Sequence, residues 1–554
     1  VSSERYVIGV DYGTLSGRAL LVRVSDGFEV ASAVHEYEHA VMDEYLGDTG
    51  IKLGADWALQ DAKDYINVLK TTIPEVLSKS GINPADVIGI ATDFTASTPL
   101  PALQDGTPLS FLPQFANRPH AYVKLWKHHA ASSHANRINE LAHARGEEWI
   151  KRYGGKISSE WQFAKALQLC EEDKEIYDAT QVWVEAADWI VWQLSGKYIK
   201  NICTAGYKGI YQDGHYPSKE FLAALNPEFA HFVENKVVHK IGQLGNRVGG
   251  LTAEAAAWTG LPEGIAVAVG NVDAHVAAAS AQATAPGQMV AIMGTSTCNV
   301  MVGEKLSDVP GMCGVVEGGI VPGKWGYEAG QSGVGDIFGW FVNRFVGESY
   351  LRAATEAGLD LHNYLASLAS HNPTGSHGLV ALDWENGNRS TLVDHELSGL
   401  IVGLTLATKP EDVYQALVEA TAFGARKIIE TFDESGVPVV DFIASGGLIK
   451  SRFVMQIYAD ILKRPIHITE SEQGPALGSA IHAAVAAGAY PDIQTASQAM
   501  GKLKRNAFMP NEKNSQVYDA LYEHYSALYR EFGNGKIMHS LRAIRNNALS
   551  QAGN

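Results

Sequence analysis

The chain has 554 residues, 46% hydrophobic and 19% charged, which is more than one ordinary core holds and predicts two or more domains. Its formal net charge of -17 and pI near 5.6, with no clustered Lys and Arg, argue against nucleic acid or an anionic membrane as partners. The four cysteines, Cys170, Cys203, Cys298 and Cys313, are scattered without a Cys-x-x-Cys, which predicts free thiols in a reducing compartment rather than a disulfide scaffold or zinc site.

The N-terminus leads from Val1 almost directly into an apolar strand at 6–10, leaving no room for a signal peptide. The longest apolar runs fall short of a membrane span; 265–269 is broken by Gly270, Asn271 and Asp273. A cytoplasmic location is the expectation.

The opening segment reads as two strands, 6–10 and 19–24, around a polar turn rich in glycine, with a third strand at 29–37. Asp11, Gly13, Thr14, Ser16 and Arg18 stand on that turn. Kinase chemistry needs polyphosphate held by many N–H and hydroxyl donors, a metal-ordering carboxylate and a base for the acceptor hydroxyl. Asp11 can order Mg²⁺ through water, Gly13 admits close backbone approach, and Thr14 and Ser16 can donate. Arg18 can add a charge-assisted contact to a phosphoryl oxygen. A plain hairpin, with Asp and Gly serving turn geometry, is the alternative.

Further along come a strand at 87–92 and helical stretches at 161–172 and 183–194. His128, His129 and His134 lack metal-ligand spacing and read as a solvated or substrate-adjacent segment. Asp273 follows the strand at 265–269 and precedes a helix of small residues at 274–283. A carboxylate at a helix N-terminus is expected to stay ionised and can accept a hydroxyl proton. Its alternative is an N-cap, although Asn271 could cap equally well and leave Asp273 free.

A second hairpin follows at 288–302, where the turn carries Gly294, Thr295 and Ser296. TKPE at 408–411 reads as a capping box with Pro inside the start of a helix. A strand at 439–444, a turn with Gly446 and Gly447, a helix at 451–462 and a strand at 466–469 complete an α/β succession. The Gly446–Gly447 turn can let an α-phosphate and adenine approach a helix N-terminus. Beyond 502 the pattern is mainly helical and ends in a polar, frayed tail at 546–554. No Walker A, dinucleotide fingerprint or nucleophile elbow is present.

The motifs VDYGT (10–14), TDFTASTP (92–99), LWKHH (125–129), GNVDAH (270–275), GTSTC (294–298), IVPG (320–323), EAGQS (328–332), ALDW (381–384), GNR (387–389) and SGG (445–447) recur together, with a helix signature at 399–419. Over nearly its whole length the chain resembles the FGGY carbohydrate kinases of the actin/sugar-kinase/Hsp70-like superfamily, and within them most closely the branch acting on L-ribulose. The resemblance implies an α/β fold of two RNase H-like, actin-like ATPase domains around a catalytic cleft. Residues 1–283 would carry the sugar site, the first hairpin and the catalytic Asp. Residues 284–554 would carry the nucleotide site, the second hairpin and the helical C-terminal region. It implies ATP and Mg²⁺ as cofactors, Asp273 as general base, and the C5 hydroxyl of L-ribulose as acceptor, giving L-ribulose 5-phosphate in L-arabinose catabolism. Ala96, Trp126, Lys208, Asp273 and Glu328 would line the sugar pocket, and a homodimer is left open. The alternatives are a kinase for xylulose or a pentitol, or a chaperone-like or filament-forming relative.

Overall fold

The computed structural model describes residues 4–552, so the expected ends at Val1 and Asn554 lie outside it. Tyr6–Tyr12 and Ser16–Arg23 pair antiparallel, with Tyr12 opposite Gly17, and Glu29–Glu36 extends the meander. On the other side of Tyr6–Tyr12, Val87–Phe94 and then Ala266–Ala268 add in parallel, and Arg247–Gly250 closes that edge antiparallel. The near-continuous apolar burial along Tyr6–Tyr12 and Val87–Phe94 is what strands covered on both faces require.

The second sheet repeats the plan. Gln288–Met293, Thr297–Gly303 and Trp325–Gln331 form an antiparallel meander, which Gly314–Glu317 extends. Asp441–Ser445 and Ile466–Thr469 add in parallel beside Gln288–Met293, and Leu503–Phe508 closes the edge antiparallel. Each sheet has seven strands, and both are RNase H-like: a meander, then parallel strands reached by helical crossovers. The α/β architecture expected from the two hairpins is therefore present.

One face of the first sheet packs on helix Ala62–Ser80 through Tyr65, Val68, Leu69, Ile73 and Val76. The other face is covered by helix Gly474–Ala486, from the second half of the chain, through Ala476, Ala480, Ile481 and Ala484. Small residues allow this closeness. A Cβ on Gly9 would fall 1.9 Å from Ala476 O, and one on Gly478 would fall 2.2 Å from Val276 O. Strand Tyr6–Tyr12, helix Gly474–Ala486 and helix Asp273–Ser280 thus pack backbone against backbone. A third core, around Ile138, Trp161, Leu167, Trp183 and Phe229, lies in the helical segment inserted between Val87–Phe94 and Arg247–Gly250.

Some boundaries differ from the sequence expectation. The stretch at 183–194 is strand Val182–Glu185 followed by helix Ala186–Ser195, because the β-branched and aromatic residues at its start pair with Pro99–Ala102. The capping box lies one residue later than TKPE suggests: helix Pro410–Glu434 starts where Asp412 Oδ2 accepts from the N–H of Lys409 at 2.9 Å. Of the tail at 546–554 expected to fray, residues 546–552 are the end of helix Lys536–Ala552, and the last two lie outside the described residues. Among the described residues no helix is long and apolar enough to cross a membrane.

Candidate active site

Parallel register brings the acids together. Asp11 and Asp93 are Cα partners on neighbouring strands, and Asn271, on the short strand Asn271–Val272, pairs with the same Asp93. Two residues on, Asp273 opens helix Asp273–Ser280. Three carboxylates therefore gather at the C-terminal ends of adjacent strands, where open α/β sheets place their ligands.

Their surroundings differ. Asp11 Oδ2 lies 3.6 Å from Nε of Arg18. Asp93 is fully buried; its Oδ2 accepts from the Ser479 hydroxyl at 2.6 Å, while its Oδ1 is buried without a partner. Burial, and then the charge of Asp11, push the Asp93 carboxyl well above the usual range. Asp273 is half-buried, and its Oδ1 accepts from the N–H of Ala274 at 2.7 Å. Burial first, and the nearby Asp11 second, raise Asp273 to about 7. This corrects the expectation that a helix N-terminus alone keeps it ionised: one backbone N–H does not offset desolvation beside other carboxylates. Nor does Asn271 cap the helix, for its Oδ1 takes the N–H of Val272 at 2.9 Å.

Of the three acids Asp273 lines a cleft of about 890 Å³, together with Thr14, Ala96, Trp126, Lys208, Thr295, Ser296 and Glu328, while Asp93 lies buried behind it. All five residues expected to meet the sugar therefore face one space with hydroxyls from both hairpins. The Trp126 indole N–H donates to Thr14 Oγ1 at 3.1 Å and ties the two groups together. Asp11, Gly13, Ser16, Arg18, Gly294, Gly446 and Gly447 stand outside that lining. Gly13 N–H closes its turn on Ser16 O at 2.9 Å, and Gly294 N–H does the same on Ser296 O at 2.9 Å. The Gly294 and Thr295 carbonyls accept from Gly335 at 3.0 Å and Val334 at 2.9 Å, at the start of helix Gly335–Phe345. That anchoring leaves the Thr295 and Ser296 side chains exposed to the cleft. Gly446, at φ 89°, abuts this hairpin; a Cβ there would lie 2.5 Å from Met293 O.

Glu328 and Lys208, unremarkable surface residues by sequence pattern alone, are 3% and 7% exposed. Glu328 Oε1 lies 3.0 Å from Nη2 of Arg389 and 3.6 Å from Nζ of Lys208, and its Oε2 lies 3.0 Å from Nε2 of His275. Burial alone would raise this carboxyl, but Lys208, His275 and Arg389 hold it well below the usual range. It is thus a carboxylate with spare lone pairs, ringed by donors that also face the cleft. His128 is not solvated: it is fully buried, its Nδ1 accepts from the N–H of Ala58 at 3.1 Å, and its Nε2 sits 2.9 Å from Gln168 Oε1. His134 is buried 3.2 Å from Glu171, and His129 is exposed beside Glu160, so the three histidines do not converge.

Asp93, His275 and Arg389 stand in the motifs TDFTASTP, GNVDAH and GNR that carry the resemblance, but the sequence assigned them no role in the site. Asp93 had a usable signal, an Asp ending an apolar strand as Asp11 does. Arg389 had only its GNR motif, and nothing local tied it to Glu328, 61 residues away.

The donor set suits Mg²⁺. Asp11 and Asp93 offer hard carboxylate oxygens beside Asp273, a cluster whose mutual repulsion a cation would relieve, and one buried oxygen of Asp93 lacks a partner. They do not form a tight cage; among the described residues the one group with ligand atoms within 4.8 Å is Glu38, His39 and Asp64, away from the cleft lining. A looser set fits an ion that keeps most of its waters and meets one or two carboxylates.

Residues 6–280 match the N-terminal domain, and residues 289–487 the C-terminal domain, of the FGGY family of carbohydrate kinases. The chain is 60% identical over 548 residues to a ribulokinase of Mycolicibacterium smegmatis, covering 99% of this chain and 97% of that protein. It is 52% identical over 540 residues to a ribulokinase of Anoxybacillus flavithermus, covering 96% and 95%. Its fold is similar to the crystal structure of a xylulose kinase from Rhodospirillum rubrum, with a TM-score of 0.80 at 24% identity over 97% of this chain and all of that one. Two hairpins facing one cleft, a strand-end carboxylate cluster and these matches have one meaning: the chain is a kinase and belongs to the FGGY family of carbohydrate kinases.

Proposed function

We propose that the chain transfers the γ-phosphoryl group of ATP to the C5 hydroxyl of L-ribulose, the step giving L-ribulose 5-phosphate in L-arabinose catabolism. The relatives named ribulokinase support the sugar. The observation that carries the chemistry is Asp273, half-buried in a cleft with the Glu328 cage and Trp126 lining one part and hairpin hydroxyls another.

In this reading the sugar lies against Ala96 and Trp126, the indole giving an apolar face to its C–H side. Lys208 donates to a sugar oxygen, and Glu328, kept ionised by Lys208, His275 and Arg389, accepts from a hydroxyl. The polyphosphate meets the hydroxyls of Thr14, Ser16, Thr295 and Ser296, and Gly13 and Gly294, with no side chain, let it come close to the two turns. Gly446 and Gly447 admit the α-phosphate and adenine, and Arg18 turns from Asp11 toward a phosphoryl oxygen. Asp11 would hold Mg²⁺, with Asp93 and its Ser479 clamp behind it, and an ion held there would supply positive charge to the phosphate oxygens. Asp273 takes the C5 hydroxyl proton as the oxygen–phosphorus bond forms. The chain divides near 283 into a sugar-side and a nucleotide-side domain, and their closure excludes water from the γ-phosphate.

ADP release with Mg-ATP and a panel of L-ribulose, other ketopentoses and pentitols tests this. L-Ribulose is expected to give the highest kcat/KM. Absence of sugar-stimulated turnover with every member would sink the reading.

A further inference from the structure

Helix Gln162–Glu172 stands behind the cleft wall, yet it grips the proposed sugar pocket at three places. Its Lys165 is fully buried, and Nζ donates to the carbonyl oxygens of Ser97 at 2.9 Å and Leu125 at 2.8 Å. Ser97 follows Ala96, and Leu125 precedes Trp126, so one amine joins the two backbone segments that carry two sugar contacts. Ser97 is held a second time: buried Glu185 accepts from its hydroxyl and, at 2.7 Å, from the N–H of Thr98. On the same face of the helix, Gln168 meets His128 at 2.9 Å, and Glu172 meets His120 at 2.9 Å. Positions 165, 168 and 172 make one helical stripe directed at the segment around Trp126. Trp161, the N-cap residue, lies beneath Lys208, whose Nζ is 5.3 Å from the ring centroid.

Packing alone would favour an apolar stripe here, since a buried lysine is costly unless its N–H groups find acceptors. Burial lowers Lys165 to about 7, against the opposing charges of Glu185 and Glu160. Whether charged or neutral, it retains N–H donors for both carbonyls.

We propose that Lys165 is a positioning residue for sugar binding: it fixes the spacing between the Ala96 and Trp126 walls, and its helix is the truss on which the sugar side of the cleft is mounted. This rests on the sugar-pocket reading above. Lys165→Met removes the donors while keeping the length and burial of the side chain. It is expected to raise the KM for L-ribulose about 10- to 100-fold, the consequence of leaving one or two buried carbonyls unpaired. Its kcat, its KM for ATP and its ADP affinity by calorimetry should stay near wild type. In the sugar-free protein, amide exchange at 95–98 and 123–127 should quicken, while the second sheet keeps its protection. Lys165→Gln, which restores shorter-reaching donors, should recover part of the sugar affinity, and it carries the test alone if the Met variant does not fold. An unchanged KM for sugar in a folded variant overturns the proposal, as does equal weakening of sugar and ATP. If the wild-type protein turns over no ketopentose, the functional reading fails instead. Amide exchange then still decides the tie, and unchanged protection at 95–98 and 123–127 overturns it.

Discussion

Asp273 is suited to its proposed role by what surrounds it rather than by its place on a helix. At about 7, its carboxyl matches a base working near neutrality, and kcat/KM should fall on the acid side as it protonates. Asp273→Asn is expected to lower turnover by ~10²–10⁴-fold while nucleotide affinity stays close to wild type. The same group carries a linked stability effect. Its folded value lies above that of an exposed Asp, so its contribution to stability is present at low pH and is lost as pH rises toward and through about 7. Asp273→Asn should therefore raise the thermal midpoint at pH 8, and the gain should vanish near pH 4. A gain that grew toward low pH would contradict the assignment. Glu328 should behave in the opposite way. Removing its charge leaves Lys208, His275 and Arg389 crowded and unpaired, so Glu328→Gln should cost about 3–5 kcal/mol in urea unfolding and also weaken sugar binding. A stable Gln variant with wild-type KM would show that the cage is not needed.

Among the elements, helix Gly474–Ala486 has the widest reach. It covers the first sheet, touches the helix that begins at Asp273 and, through Ser479, clamps Asp93. Gly9→Ala should drive a Cβ toward Ala476 O and destabilise by ~1–3 kcal/mol, read as an earlier urea midpoint. An unshifted midpoint would mean the helix yields freely. The two hairpins were legible in the sequence because the signal is local: apolar strands on either side of a glycine turn. The parallel strands expected at 87–92 and 439–444 were legible as local apolar runs, and they are Val87–Phe94 and Asp441–Ser445. Strand Val182–Glu185 was not, since four buried residues running into a helix look like one helical stretch. The Glu328 cage was beyond reach, because its members at 208, 275, 328 and 389 meet only once both halves of the chain have folded. The resemblance could suggest Lys208 and Glu328, but burial and charge were needed to see why Arg389 and His275 belong with them.

At the scale of the molecule, two similarly built sheets face a cleft lined by residues from both, which is the arrangement a closing kinase needs. Closure should show as a smaller radius of gyration in solution scattering when L-ribulose and a nonhydrolysable ATP analogue are both present. It should also show as slow ADP release without sugar, since water would then meet a poorly assembled site. Equal ADP release with and without sugar would contradict closure. The most direct test of the whole account is ³¹P NMR of the product formed from Mg-ATP and L-ribulose by wild-type and Asp273→Asn protein. The account predicts a phosphomonoester at C5 from the wild type and almost none from the variant. A product phosphorylated at another carbon, or equal yields from the two proteins, would contradict it.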